Sequence, residues 1–97
     1  MQHTRLAFYD HVSRDFDELA AKAEAGLGAL LRAEPGFLSY SIGRDAEGRI
    51  VAINDWQTRE QADVALGKAA TWIRENIAEH VRLISAHVAD FSFTVTP

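Results

Sequence analysis

Asn54 and Trp56 stand two residues apart in Ile53-Asn54-Asp55-Trp56, and on an extended strand that spacing puts both side chains, with Ala52, on one face. A tryptophan brings an apolar wall and a single N–H donor; an asparagine brings a neutral donor and acceptor. Together they suit an aromatic ligand on whose oxygen negative charge develops. Core packing accounts for a strand-ending tryptophan equally well, since a large buried aromatic needs no catalytic reason. His80 is the next candidate, the one titratable residue in a stripe of Ile73, Ile77, His80, Val81 and Ile84 whose intervals of three and four read as a helix face. A histidine there can accept a phenolic proton, or simply hydrogen-bond a backbone group at the edge of a core. Tyr9, Tyr40 and Trp72 are candidates to bind substrate from other elements.

His11 and His87 raise the question of a metal. If the first and last strands pair antiparallel, the end of one meets the start of the other and the two histidines become cross-strand neighbours. Two imidazoles without a carboxylate or third ligand make a poor site, so no metal is expected. The chain has no cysteine, no G-x-S-x-G elbow, no phosphate-cradling glycine loop and no H-E-x-x-H, which argues against nucleophilic and zinc-protease chemistry. Glu18, Lys22, Arg59, Glu60 and Arg74 read as solvated helix faces.

The elements that must position these residues are marked by strong punctuation. Residues Thr4 to Val12 alternate as a first strand. Asp15 with Glu18 three residues on has the form of a helix N-cap, and Phe16, Leu19, Ala23, Leu27, Leu30 and Leu31 recur at helical spacing to about Ala33. Glu34-Pro35-Gly36 ends that helix, because proline expels the residue before it from helical geometry and glycine frees the turn. Phe37 to Gly43 and Arg49 to Trp56 are strand-like and joined by the polar turn Asp45-Ala-Glu-Gly48. Thr58-Arg-Glu-Gln61 has capping-box form, with helix expected to about Lys68, Gly67 weakening its end and Thr71 capping a second segment. Ala86 to Val95 alternates as a fourth strand. The order β-α-β-β-α-β predicts an α+β, ferredoxin-like fold with a four-stranded antiparallel sheet.

With 97 residues, 47% of them hydrophobic, and 25% charged, the chain has the composition of one globular domain over residues 1–97. A core this small favours a homodimer to cover leftover apolar surface. The N-terminus has no signal-peptide pattern and the longest apolar runs are only a few residues, so the expectation is a cytoplasmic protein without a membrane partner. A net charge of -4 with no Lys/Arg cluster argues against nucleic acid.

The run Leu31-Arg-Ala-Glu-Pro-Gly-Phe-Leu-Ser-Tyr40, the hairpin closing on Ile-Asn-Asp-Trp56 and the helix start Gln57-Thr-Arg-Glu-Gln-Ala62 together resemble the antibiotic biosynthesis monooxygenase family of dimeric α+β barrels. The resemblance implies a homodimer with its two sheets packed together and a pocket in each protomer between sheet and helices. Members include cofactor-independent oxygenases of phenols and anthrones, quinol oxidases, haem-degrading enzymes, isomerases and proteins without known activity. On that basis the expected function is a cofactor-independent monooxygenase for an electron-rich phenolic, anthrone or quinol substrate. Asn54 and Trp56 would bind the substrate oxygen, and His80 would manage the proton. The quinone-forming members carry their pocket asparagine four residues before the tryptophan, where this chain has Ala52, and a tyrosine six residues after it, where it has Ala62. Asn54 is displaced by one pleat. Haem-degrading members carry a tryptophan and a histidine at places that match Leu66 and Glu75, which disfavours haem. The competing expectation is a non-catalytic dimeric small-ligand-binding or stress-related protein of the same fold.

Overall fold

The computed structural model describes residues 2–11 and 15–97. The chain runs β1 (His3–His11), α1 (Phe16–Ala23), a π-helical turn (Glu24–Gly28), α2 (Ala29–Arg32), β2 (Phe37–Arg44), β3 (Ile50–Trp56), α3 (Arg59–Asn76) and β4 (Val81–Asp90). Because α1, the π turn and α2 join through helical backbone, they form one arm and the β-α-β-β-α-β order holds. The four strands make one antiparallel sheet in the order β2-β3-β1-β4, the ferredoxin-like arrangement. Val12, the expected last residue of the first strand, lies outside the described residues.

Local chemistry explains most boundaries. The Asp15 carboxylate accepts from the Glu18 backbone N–H at 3.1 Å and opens α1. Gly36 closes the first arm with φ +81°, and a Cβ there would sit 1.9 Å from Gln61 Oε1. Glycine is therefore required twice, by conformation and by contact. The Gly36 carbonyl accepts from the Gln57 N–H at 2.9 Å, and the Glu34 carboxylate pairs with Lys68 at 2.6 Å, so this turn is fastened to α3. In the hairpin, Asp45 accepts from the backbone N–H groups of Glu47 and Arg49, each at 2.9 Å. Thr58 Oγ1 caps α3 by accepting from the Gln61 N–H at 3.2 Å. The reciprocal half of the capping box is not made, because the Gln61 amide lies over Gly36.

Three expectations are corrected in the second half. First, α3 runs through Gly67 to Asn76, and Thr71 caps nothing; its hydroxyl bonds back to the Gly67 carbonyl at 3.3 Å inside the helix. Second, the stripe from Ile73 to Ile84 is not one helix face. Residues 77–80 form a turn in which the His80 N–H donates to the Ile77 carbonyl at 2.9 Å, and Val81 and Ile84 belong to β4. Third, β4 begins at Val81 rather than Ala86 and ends at Asp90, leaving Phe91, Phe93 and Val95 exposed beyond it. The cause of the second, and of the early start of β4, is a bulge: Phe8 faces Ser85 but Tyr9 faces Leu83, so the intervening Ile84 breaks the alternation that marks a strand, while β4 ends at Asp90 opposite His3, where its partner strand begins. The register also separates the two histidines, His87 opposite Leu6 and His11 opposite Val81.

Both helical arms pack on one face of the sheet. Leu27 and Leu31 from the first arm meet Ala62, Ala65 and Ala69 of α3 around Trp56, while Leu19, Ile50 and Ile77 form a second cluster. Trp72 packs against both, and Gly26 in the π turn admits it: a Cβ there would lie 2.2 Å from Trp72 Cζ2. Among the described residues no helix is long and apolar enough to cross a membrane.

Candidate active site

The strand registers arrange the helix-facing side chains in transverse rows. His3, Trp56 and Phe37 form one row; Arg5, Asn54 and Tyr40 the next; then Ala7, Ala52 and Ile42; then Tyr9, Ile50 and Arg44. The first row is filled by aromatic rings, with Trp56 fully buried and its ring edge-on to Phe37 at 5.4 Å between centroids. In the third row, β1 and β3 each contribute only an alanine, which leaves space beneath the helices. A cavity forms there. Arg5, Tyr9, Tyr40, Ala52 and Asn54 line it from the sheet, and apolar side chains such as Leu31 and Ile73 line it from the helices.

Its enclosed part is small, about 50 Å³, enough for a few water molecules. An adjoining cleft of about 310 Å³ shares Arg5, Tyr9, Leu66, Ala69 and Ile73 as walls and adds Arg74 and Leu83. That volume reaches the lower end of the range for small-molecule sites, roughly 300 Å³ and above.

The orientation of Asn54 follows from its neighbour. The Trp56 Nε1–H donates to Asn54 Oδ1 at 2.8 Å, and an indole N–H has no acceptor role. The amide oxygen must face the tryptophan, and the NH₂ end is the part left for the cavity. Among the described residues that NH₂ group has no hydrogen-bond partner. Asn54 is 3% exposed, so the site presents a desolvated, fixed donor.

Beside it, Tyr40 has its pKa pushed up to about 12, first by burial and then by the neighbouring Tyr9. At neutral pH it is a phenol that can donate a hydrogen bond but cannot take a proton. On the opposite face of the sheet, Asp55 accepts from Thr4 Oγ1 at 2.5 Å and Ser39 Oγ at 2.7 Å. Burial opposes its charge, but hydrogen bonds from Thr4, Ser39 and Gln2 outweigh burial and hold its pKa below the ordinary value. Asp55 ties three strands together there and does not enter the cavity.

The structure thus brings Asn54, Tyr40 and Tyr9 to one cavity. Trp56 lies behind Asn54 as its orienting partner. Trp72 belongs to the core and His80 to the turn before β4, and neither lines the cavity. Two helix charges read as solvated have specific places: Lys22 Nζ donates to the Asn76 carbonyl at the end of α3 at 3.0 Å, and Arg74 lines the cleft. Sequence reasoning missed Arg5. The signal was its parity, since Arg5 shares a strand face with Ala7 and Tyr9.

The antibiotic biosynthesis monooxygenase family matches the sequence over residues 4–71. No curated protein sequence matches the chain. Among solved structures, MupZ from Pseudomonas fluorescens is similar with TM-score 0.77 and 14% identity, over 90% of this chain and 69% of that one. An asparagine-to-alanine variant of SnoaB, a cofactor-independent oxygenase from Streptomyces nogalater, gives TM-score 0.73 and 16% identity over 99% and 98% of the two chains. A protein from Mycobacterium tuberculosis gives 0.68 and 20% over 99% and 100%. At these identities the likeness is one of fold.

Proposed function

The chain belongs to the antibiotic biosynthesis monooxygenase family, and from that premise we propose that it is a cofactor-independent monooxygenase acting on an electron-rich phenolic, anthrone or quinol substrate. The observation that carries this reading is the Asn54 amide, locked by Trp56 so that its N–H donors are directed to an apolar cavity beside the neutral Tyr40 hydroxyl. Two such donors favour the anionic form of a phenol or enol over the neutral one. The substrate proton leaves to water through the open cleft, so no protein base is needed at the reacting oxygen. The anion then supplies the electrons. For an anthrone, the ring carbon opposite the carbonyl loses a proton, the carbanion adds O₂ to give a hydroperoxide, and loss of water leaves a ketone: CH₂ plus O₂ becomes C=O plus H₂O. The apolar walls keep water from the charged intermediate and sharpen the effect of the donors.

In the proposed assembly the outer sheet face packs on that of a second copy. Alternation puts Leu6, Phe8, Val51 and Ile53 there, and Ile53 is 37% exposed in the single chain. Sedimentation at micromolar concentration is expected to give twice the monomer mass; a monomer would remove the dimer from the proposal.

An oxygen electrode tests the chemistry. Metal-stripped protein without added flavin or haem should consume oxygen with an anthrone or hydroquinone from a panel of such compounds. Turnover only after adding flavin, haem or metal would overturn the cofactor-free mechanism. Ligand binding without any oxygen uptake would leave a binding protein of the same fold.

A further inference from the structure

Arg5 occupies a place where an arginine is costly. It lies in the middle of an inner strand, half-buried, with its side chain on the helix-facing side among Ala7, Asn54 and the leucines and isoleucines of the cavity. Among the described residues it has no carboxylate within ion-pairing distance and no hydrogen-bond partner. A guanidinium cannot shed its charge to escape this environment, so partial desolvation without a counter-ion is a standing penalty. Arg5 lines both the inner cavity and the outer cleft, at their junction. The cleft's other charged wall residue is also a cation, Arg74. In a chain of net charge -4, a cleft whose charged walls are both arginines marks a local reversal of sign.

We propose that the ligand of this site is an organic acid: an aromatic ring system seated in the cleft where it meets the inner cavity, bearing a carboxylate that Arg5 binds with Arg74 adding attraction at the mouth. The inference takes the cavity proposed above as the substrate site and names its substrate class. A planar guanidinium matches a carboxylate in two parallel hydrogen bonds, and it supplies the counter-charge the site lacks. The strand register makes the assignment geometric. Arg5, Asn54 and Tyr40 lie in one row across three strands, so a ligand can place its carboxylate at Arg5 and a phenolic or enolic oxygen at Asn54 and Tyr40. The charge would then be recognised at the β1 end of the row and the reacting oxygen at the β2 end. Arg5 is therefore a specificity-determining residue, separate from the donors that act on the reaction.

The test is calorimetric and needs no turnover. 2-Naphthoate and its neutral isostere 2-naphthamide are titrated into the full-length protein. The acid is expected to bind at least about tenfold tighter than the amide, as charge-assisted hydrogen bonds outweigh neutral ones. The preference should disappear in Arg5→Met and survive in reduced form in Arg5→Lys, which keeps the charge but loses the fork. It should weaken only modestly in Arg74→Met. Equal affinity of acid and amide, absence of naphthoate binding to the wild type, or a preference that persists undiminished in Arg5→Met would each overturn the proposal. The wild-type comparison stands whether or not a variant folds. Acid preference without oxygen uptake on any phenol would keep this inference while removing the oxygenase reading. Matched substrates give a further separation: Arg5→Met should raise KM for a carboxylated anthrone by at least about tenfold more than for an uncharged one. A common fall in kcat for both would assign Arg5 to the reacting oxygen instead.

Discussion

Two neighbouring rows on the same face of the sheet have opposite character. The row of His3, Trp56 and Phe37 is solid, with Trp56 fully buried and its ring edge-on to Phe37. One pleat further on, Arg5, Asn54 and Tyr40 are polar, and the row after that is hollow because Ala7 and Ala52 are too short to reach the helices. A small domain supports a polar site by setting it beside a packed row. The packed row supplies the rigidity, and a single hydrogen bond from Trp56 to Asn54 passes that rigidity to the row whose groups are free to meet a ligand.

The sharpest way to break this arrangement is to empty the packed row. Trp56→Ala should cost roughly 3–5 kcal/mol of stability, read by urea denaturation, because a fully buried aromatic is removed and a void remains. A loss under 1 kcal/mol would mean the row is not the anchor described. The next largest effect belongs to the polar row. Asn54→Leu should lower turnover on an identified substrate by about a hundredfold or more, since a donor to a developing oxyanion is lost, and should cost about 1–3 kcal/mol of stability because the buried Trp56 Nε1–H loses its acceptor. Unchanged turnover would reduce Asn54 to a structural residue and shift the site toward Tyr40 and Tyr9.

Tyr40 sharpens the same contrast through pH. Its folded pKa of about 12 exceeds the unfolded value near 10, so above pH 10 the unfolded chain releases the phenolic proton first and stability falls as pH rises. The loss should total roughly 1–3 kcal/mol between pH 10 and pH 12. It should be absent in Tyr40→Phe, compared by urea titrations across that range. A wild type and variant that decline in parallel would show that Tyr40 ionises as freely as an exposed tyrosine.

The smallest effect lies on the outer face. Asp55→Asn should cost about 0.5–1.5 kcal/mol at pH 7, with Thr4 and Ser39 losing a charged acceptor, and should leave turnover unchanged. Because the folded pKa of Asp55 is depressed, its contribution is present above the ordinary carboxylate pKa and is lost as pH falls through the folded value. The gap between wild type and variant should therefore narrow in acid. A gap that stays constant down to pH 2 would contradict that depressed pKa.

Punctuation residues carried most of the architecture in readable form. Asp15, Pro35 with Gly36, Asp45 with Gly48, and Thr58 act through their own backbone or neighbours within a few positions, so their effects can be read without knowing the fold. The alternation in β3 likewise put Ala52, Asn54 and Trp56 on one face. What local pattern could not reveal was set by partners distant in the chain. The bulge at Ile84 exists only against Phe8 and Tyr9, and it disguised the start of β4 as a helical stripe that took His80 with it. The void exists because Ala7 and Ala52, 45 positions apart, are opposed across two strands. Arg5 becomes a cavity residue only when β1 is placed between β3 and β4 beneath α3. Turns and caps are short-range chemistry and belong to the sequence; cavities, registers and counter-charges are made by pairs that meet only after folding, and the tertiary structure alone decides them.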